Sequence, residues 1–135
     1  MSSPSPNYTE LGVQAVGLPG WTLLPGMRFV DSDGIYPYRV LSVSPFFAAF
    51  DADRPPPMIA VGQARGDIPD FHDAATKGCL IELARRRHGP TTTAIASLSP
   101  STGKVTEWYV GNNQRVLCVA DDEIEAYVRS LEVEP

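Results

Sequence analysis

Apolar and polar positions alternate most regularly in the second half of the chain. Over residues 73–88, Thr76, Cys79, Leu80, Leu83, Ala84 and Arg87 repeat at i, i+3, i+4, i+7, i+8 and i+11. That spacing predicts a helix with one largely apolar stripe. Asp73 is suited to cap its start, with Asp70 as the other candidate, because a carboxylate accepts from the unpaired amides of a first turn. Arg85, Arg86, Arg87 and His88 fall in the last turn, where cations complement the helix dipole, and Gly89-Pro90 ends the helix. Gly78 costs a helix interior about 1 kcal/mol relative to alanine, which suggests that something packs closely against that turn.

Three strand-like runs follow, at 92–98, 104–110 and 115–119, separated by the turn residues Ser99–Gly103 and Gly111-Asn112-Asn113. Short turns between consecutive strands favour an antiparallel meander. In the middle run neither alternating face is wholly apolar. A final helix is expected from about Asp122 to Glu132, capped by Asp121, with Ile124, Tyr127, Val128 and Leu131 as its apolar stripe. The C-terminal half thus reads α-β-β-β-α. The fold class is α+β: a small antiparallel sheet with two helices on one face.

The N-terminal half is less regular. Residues 1–10 read as a flexible tail and residues 11–135 as a single domain. Closely spaced Gly and Pro over 11–26 argue for a loop or short edge strand, held on the core by Leu18, Trp21, Leu23 and Leu24. Met27–Val30 and Tyr38–Val43 resemble two strands of a β-hairpin around Asp31-Ser32-Asp33-Gly34. Residues 44–57 read as a loop carrying Phe46, Phe47 and Phe50 and ending in Pro55-Pro56-Pro57. Met58–Val61 reads as one more short strand.

Composition narrows the function classes. The chain has 135 residues, 13 prolines, 11 glycines and a formal net charge of −5. The charge argues against a nucleic-acid footprint, which needs a basic face, and against an anionic membrane surface. The two cysteines, Cys79 and Cys118, make no secreted disulfide framework and sit in apolar patterns. With no apolar run long enough for a membrane span and no signal-peptide pattern, the expected compartment is the cytoplasm, that of a host cell if the protein is viral.

The stretch from Pro69 to Leu83 (PDFHDAATKGCLIEL) resembles a helix of small bacteriophage and prophage proteins with the pattern PDL-DPAT-x-GCLL-x-LVREAWG. In those proteins a few strands with Trp and a short final helix follow, as Trp108 and residues 121–131 do here. The resemblance covers about residues 69–132. Ala74 stands where the pattern has Pro, and Arg86-Arg87-His88 replaces an acidic-aromatic end. The resemblance implies a phage-related origin and a small accessory role, and it brings no catalytic residues.

The candidate sites are incomplete as chemistry. Asp31, Asp33 and Gly34 resemble the start of a calcium loop, but the twelfth position, which should be Glu, is Ser42, and Gly34 comes too early. Asp31, Asp33, Asp51 and Asp53 could hold a divalent ion only if their loops meet. His72 and Cys79 are too far apart along a helix, at ~10 Å, to form a nucleophile pair. No catalytic residue, metal site or cofactor is therefore expected. Phe46, Phe47 and Phe50 are candidate partner anchors, since exposed aromatics of this kind serve as interface hot spots. Arg85 and Arg86 are candidate contacts to an acidic partner. The leading expectation is a non-enzymatic accessory protein that binds a host or viral protein, as an inhibitor of a host defence or expression system. A virion decoration or connector protein is the alternative, and a small enzyme using the loop carboxylates a second one. A homo-oligomer stays open.

Overall fold

The computed structural model describes residues 7–30, 38–43, 48–51 and 68–135, with the side chains of 38, 41–43 and 48–51 outside that description. The order of elements is α1 (Tyr8–Ala15), β1 (Arg28–Val30), β2 (Tyr38–Val43), β3 (Ala48–Asp51), β4 (Ile68–Pro69), α2 (Ala74–His88), β5 (Thr93–Leu98), β6 (Val105–Gly111), β7 (Val116–Ala120) and α3 (Glu123–Ser130). Two antiparallel sheets result, ordered β3-β2-β1-β4 and β5-β6-β7. The fold is α+β, and its C-terminal half is the expected α-β-β-β-α unit.

The second half forms for the reasons its pattern suggests. Asp73 caps α2 by accepting from the Thr76 amide at 3.0 Å, and Gly89 ends it at φ 110°. Thr76, Leu80, Leu83 and Ala84 are the buried stripe. Helix α3 is capped by Asp122 rather than Asp121. The Asp122 carboxylate accepts from the amides of Ile124 (2.9 Å) and Glu125 (3.3 Å). Ile124, Tyr127, Val128 and Leu131 are all buried. Helix α3 lies against β5, β6 and β7, and α2 packs on α3. Gly78 departs from expectation: it is exposed, and among the described residues nothing lies within 4 Å of where a Cβ would stand. The helix carries that residue's cost without a packing gain.

Three features of the N-terminal half differ from the sequence reading. Residues 8–10, expected in a flexible tail, open helix α1. Asn7 accepts from the amides of Thr9 and Glu10 at 3.0 and 3.3 Å, which satisfies first-turn donors. Gly12, which reads as a breaker, is instead the contact point of that helix. A Cβ there would stand 2.6 Å from Ile68 Cγ2 and 3.1 Å from the Pro69 carbonyl, so only glycine lets α1 lie this close to β4. Residues 48–51, expected in a loop, form β3 and pair with β2. Finally, β1 and β2 pair antiparallel as the hairpin reading requires, with Phe29 opposite Tyr38. The turn at 31–34, Pro55–Pro57 and the expected strand at 58–61 lie outside the described residues.

One core joins these parts. Leu11, Ala15, Met27, Phe29, Val40 and Phe71 from the first half meet Leu80, Leu83, Val110, Tyr127, Val128 and Leu131 from the second. Polar ties fix the seam. The Tyr8 hydroxyl donates to both carboxylate oxygens of Asp122, at 2.9 and 3.0 Å, bolting α1 to the capped end of α3. Burial, with the Asp122 carboxylate beside it, pushes the Tyr8 hydroxyl up to about 12. Arg39 of β2 grips Asp73 with two nitrogens, each at 2.9 Å, and the Thr76 hydroxyl accepts from the Arg28 amide at 2.8 Å. No helix among the described residues is long and apolar enough to cross a membrane.

Candidate interaction surface

The three-stranded sheet has an inner and an outer face, and register assigns residues to each. Ala94, Val110 and Cys118 form one cross-strand row, and Ala96, Trp108 and Ala120 another. Val110 and Ala120 are buried and Ala94, Trp108 and Cys118 pack against the core, so these rows face α3. Ile95, Tyr109 and Val119 form the alternate row and face away.

Two irregularities interrupt the pairing, and the second enlarges the outer face. Register shifts between Ser97 and Leu98, so that Leu98 pairs with Val105. It shifts again between Val110 and Gly111, so that Gly111 pairs with Val116. In the first shift the extra residue, Thr106, lies in β6, so β5 alternates normally and Leu98 keeps the inner parity of Ala96. In the second the extra residue, Leu117, lies in β7, while Gly111 keeps the outward parity of Tyr109, so Val116, as its cross-strand partner, points outward. Strict alternation along β7 would have sent Val116 to the α3 side. A bulge re-aims side chains in this way. Gly111 makes the second bulge feasible, because a Cβ there would stand 2.7 Å from the Arg115 carbonyl oxygen.

The result is an apolar outer face. Ile95 is 63% exposed, Val116 62% and Val119 36%, while Leu98 and Val105 are exposed at the end of the sheet where β5 turns into β6. Half-buried Tyr109 completes the central row. Its hydroxyl donates to Glu107, and this bond, more than burial, raises its pKa. The one carboxylate on β6 is thereby tied down beside the apolar row. Five of the six large hydrophobic residues exposed among the described residues belong to this sheet, the sixth being Val13.

The residues singled out from sequence fare differently. Phe46 and Phe47 lie outside the described residues. Phe50 falls in β3, its Cα opposite that of Val40, and its side chain is not described. Arg85 and Arg86 are exposed but engaged within the chain: Arg85 Nε donates to the Thr92 carbonyl at 3.0 Å and Arg86 Nε to Glu82 at 3.1 Å. Arg87 donates to the Val133 carbonyl (2.8 Å) and His88 to that of Ser130 (2.6 Å). The basic helix end thus holds β5 and the end of α3. Asp31, Asp33 and Asp53 lie outside the described residues, and Asp51 sits in β3 opposite Arg39. Among the described residues, no three His, Cys, Asp or Glu side chains gather as a metal-binding group. The sequence reading missed the outer face of the meander. Its signal was the weak alternation of β6 and the absence of charge over 93–98.

His72 and Cys79 are not brought together as a reactive pair. His72 packs against the Tyr8 ring, with centroids 4.7 Å apart, while Cys79 Sγ donates to the Pro25 carbonyl at 3.4 Å. Cys118 Sγ donates to the Ala126 carbonyl at 3.0 Å. Burial raises both thiols, Cys118 to about 11. Both should be protonated at neutral pH and react slowly with a thiol reagent until the protein unfolds. Labelling of native protein followed by mass spectrometry checks this, and fast modification of either cysteine would contradict it.

No family model, no curated protein and no solved structure matches the chain.

Proposed function

We propose that the protein is a non-enzymatic interaction module that binds another protein through the outer face of its C-terminal sheet. The observation that supports this reading is the bulge in β7 that turns Val116 to solvent beside exposed Ile95 and Val119. An isolated domain gains stability by burying such residues, and contiguous exposed apolar surface is the mark of an interaction site. The face has an apolar centre with a tied carboxylate beside it, and a centre poor in free charge is common in protein-binding patches. An accessory role of the kind seen in small phage proteins is compatible with such a module, and the sheet face takes the place that the Phe46–Phe50 segment holds in the sequence reading.

A photo-crosslinking residue at position 116 tests the proposal. In lysate of the cell that makes the protein, it should give a saturable adduct with one protein. Unlabelled wild-type chain should compete it away, whereas the Val116→Ser/Val119→Ser double variant should compete at least tenfold less well, a loss of ~1.4 kcal/mol. Failure to saturate, or equal competition by both chains, would remove the outer face as the binding surface.

A further inference from the structure

The two edges of the C-terminal sheet differ. At the β7 edge, the Arg129 guanidinium donates to the Val119 carbonyl at 3.3 Å, and the Arg115 side chain donates to the Glu134 carbonyl at 2.6 Å. Charged side chains placed over an edge protect it from adding further strands. Among the described residues, the β5 edge has no such cover beyond its first residues. The Thr92 carbonyl accepts from Arg85 and the Ala94 amide donates to the Tyr127 hydroxyl at 3.0 Å, so these backbone groups point away from β6. Backbone direction alternates along a strand, so the Ala96 amide and carbonyl also point away from β6. Among the described residues they meet no partner, and no strand lies beyond β5. Residues 93–98 (TAIASL) carry no charge and no proline, the devices that usually blunt an edge.

We propose that β5 pairs antiparallel with β5 of a second copy of this chain, about a two-fold axis through Ala96. The strand is complementary to itself in this register. Ala96 stands opposite Ala96 of the second copy, and the two exchange both N–H···O=C bonds. Ile95 stands opposite Ser97, so no like charges meet. The small side chains of Ala94 and Ala96 on the inner face leave room for the approach. The open Ala94 carbonyl extends the ladder on each side of the axis. Because the β7 edge is covered, head-to-tail growth from β5 to β7 is obstructed, and pairing through the like edge closes at two copies. The two meanders then form one continuous sheet, which brings two outer faces side by side. This pairing uses the strand edge and does not depend on what the outer face binds.

Sedimentation equilibrium of the full chain, with hydrogen exchange at the Ala96 amide, tests the proposal. The wild-type chain should approach twice its sequence mass as concentration rises, and the Ala96 amide should become protected in parallel. Ala96→Pro removes the exchanged donor at an edge position where proline is tolerated, and should leave a monomer. Ile95→Lys places two lysines at diagonal positions across the axis, roughly 7–8 Å apart at the backbone, and should also leave a monomer. Its side chain is exposed in the single chain, so it decides the matter if the proline variant fails to fold. Val116→Ser/Val119→Ser should dimerise like wild type, which separates this proposal from the binding role of the outer face. A wild-type chain that stays monomeric would overturn the pairing. So would a dimer that persists in Ile95→Lys, or a different protein bound at the β5 edge in place of the second copy.

Discussion

Truncating Leu83 to alanine should lower the stability of the protein by about 2–5 kcal/mol. The side chain is 1% exposed and belongs to the single core that joins both halves of the chain. Its loss removes buried methyl groups and leaves a cavity that neighbours on two helices cannot fully close, because α2 is tied at both ends. Asp73 anchors its start to Arg39, and Arg87 and His88 anchor its end to the chain around α3. The adjacent Glu82 is exposed and makes only a surface pair with Arg86. Glu82→Ala should therefore change stability by less than ~0.5 kcal/mol. Chemical denaturation of the two variants checks the contrast, and equal losses would contradict the placement of the helix face.

The second large effect is expected at Asp73. One carboxylate caps α2, accepts from the Thr76 hydroxyl at 2.9 Å and receives both Arg39 nitrogens. Asp73→Ala should cost on the order of 1–3 kcal/mol: about 1 for the cap and the rest for the Thr76 hydroxyl bond and a part-exposed ion pair that solvent screens, Arg39 keeping its bond to the Gly26 carbonyl at 2.7 Å. The same contacts, led by Arg39, hold the Asp73 carboxyl well below the usual carboxylate range. The folded state thus binds this proton less readily than the unfolded state, whose carboxyl titrates near ~3.9. Its contribution is complete above that value and is lost as pH falls towards the depressed folded-state pKa. Wild-type stability should drop as pH is lowered from about 4, and the Asp73→Ala variant should show a shallower acid limb. Denaturation curves from neutral pH to pH 2 measure this, and parallel acid limbs would contradict it.

How much the sequence disclosed depended on the kind of signal. Helices α2 and α3 were legible because a 3.6-residue stripe, an acidic cap and, for α2, a Gly-Pro stop all agree. The meander was legible because turn residues separate three β-branched runs. Helix α1 was not, because Gly12 and Gly17 carry breaker chemistry, while the reason for Gly12 is a neighbour 56 residues away in the sequence, Ile68. The cap of α3 was misplaced by one residue, since Asp121 and Asp122 have the same chemistry and only the tie to Tyr8 distinguishes them. Strand β3 was hidden in an Ala-rich and Phe-rich run beside prolines. The candidate surface was hidden for a different reason. Alternation assigns a residue to a face by counting twos, and a bulge breaks the count without a strong mark in the sequence. Val116 therefore looked like an ordinary strand residue.

The reading of the outer face as a binding surface can be tested by hydroxyl-radical footprinting of the meander, in the purified chain and in the cell that makes it. Ile95, Tyr109, Val116 and Val119 should be oxidised readily in the purified chain at low concentration. In the cell they should be protected several-fold, while exposed Val13, which lies on α1 away from that face, should be modified equally in both. Equal oxidation of the outer face in the two settings would contradict the account, because it would show that no partner covers this surface where the protein works.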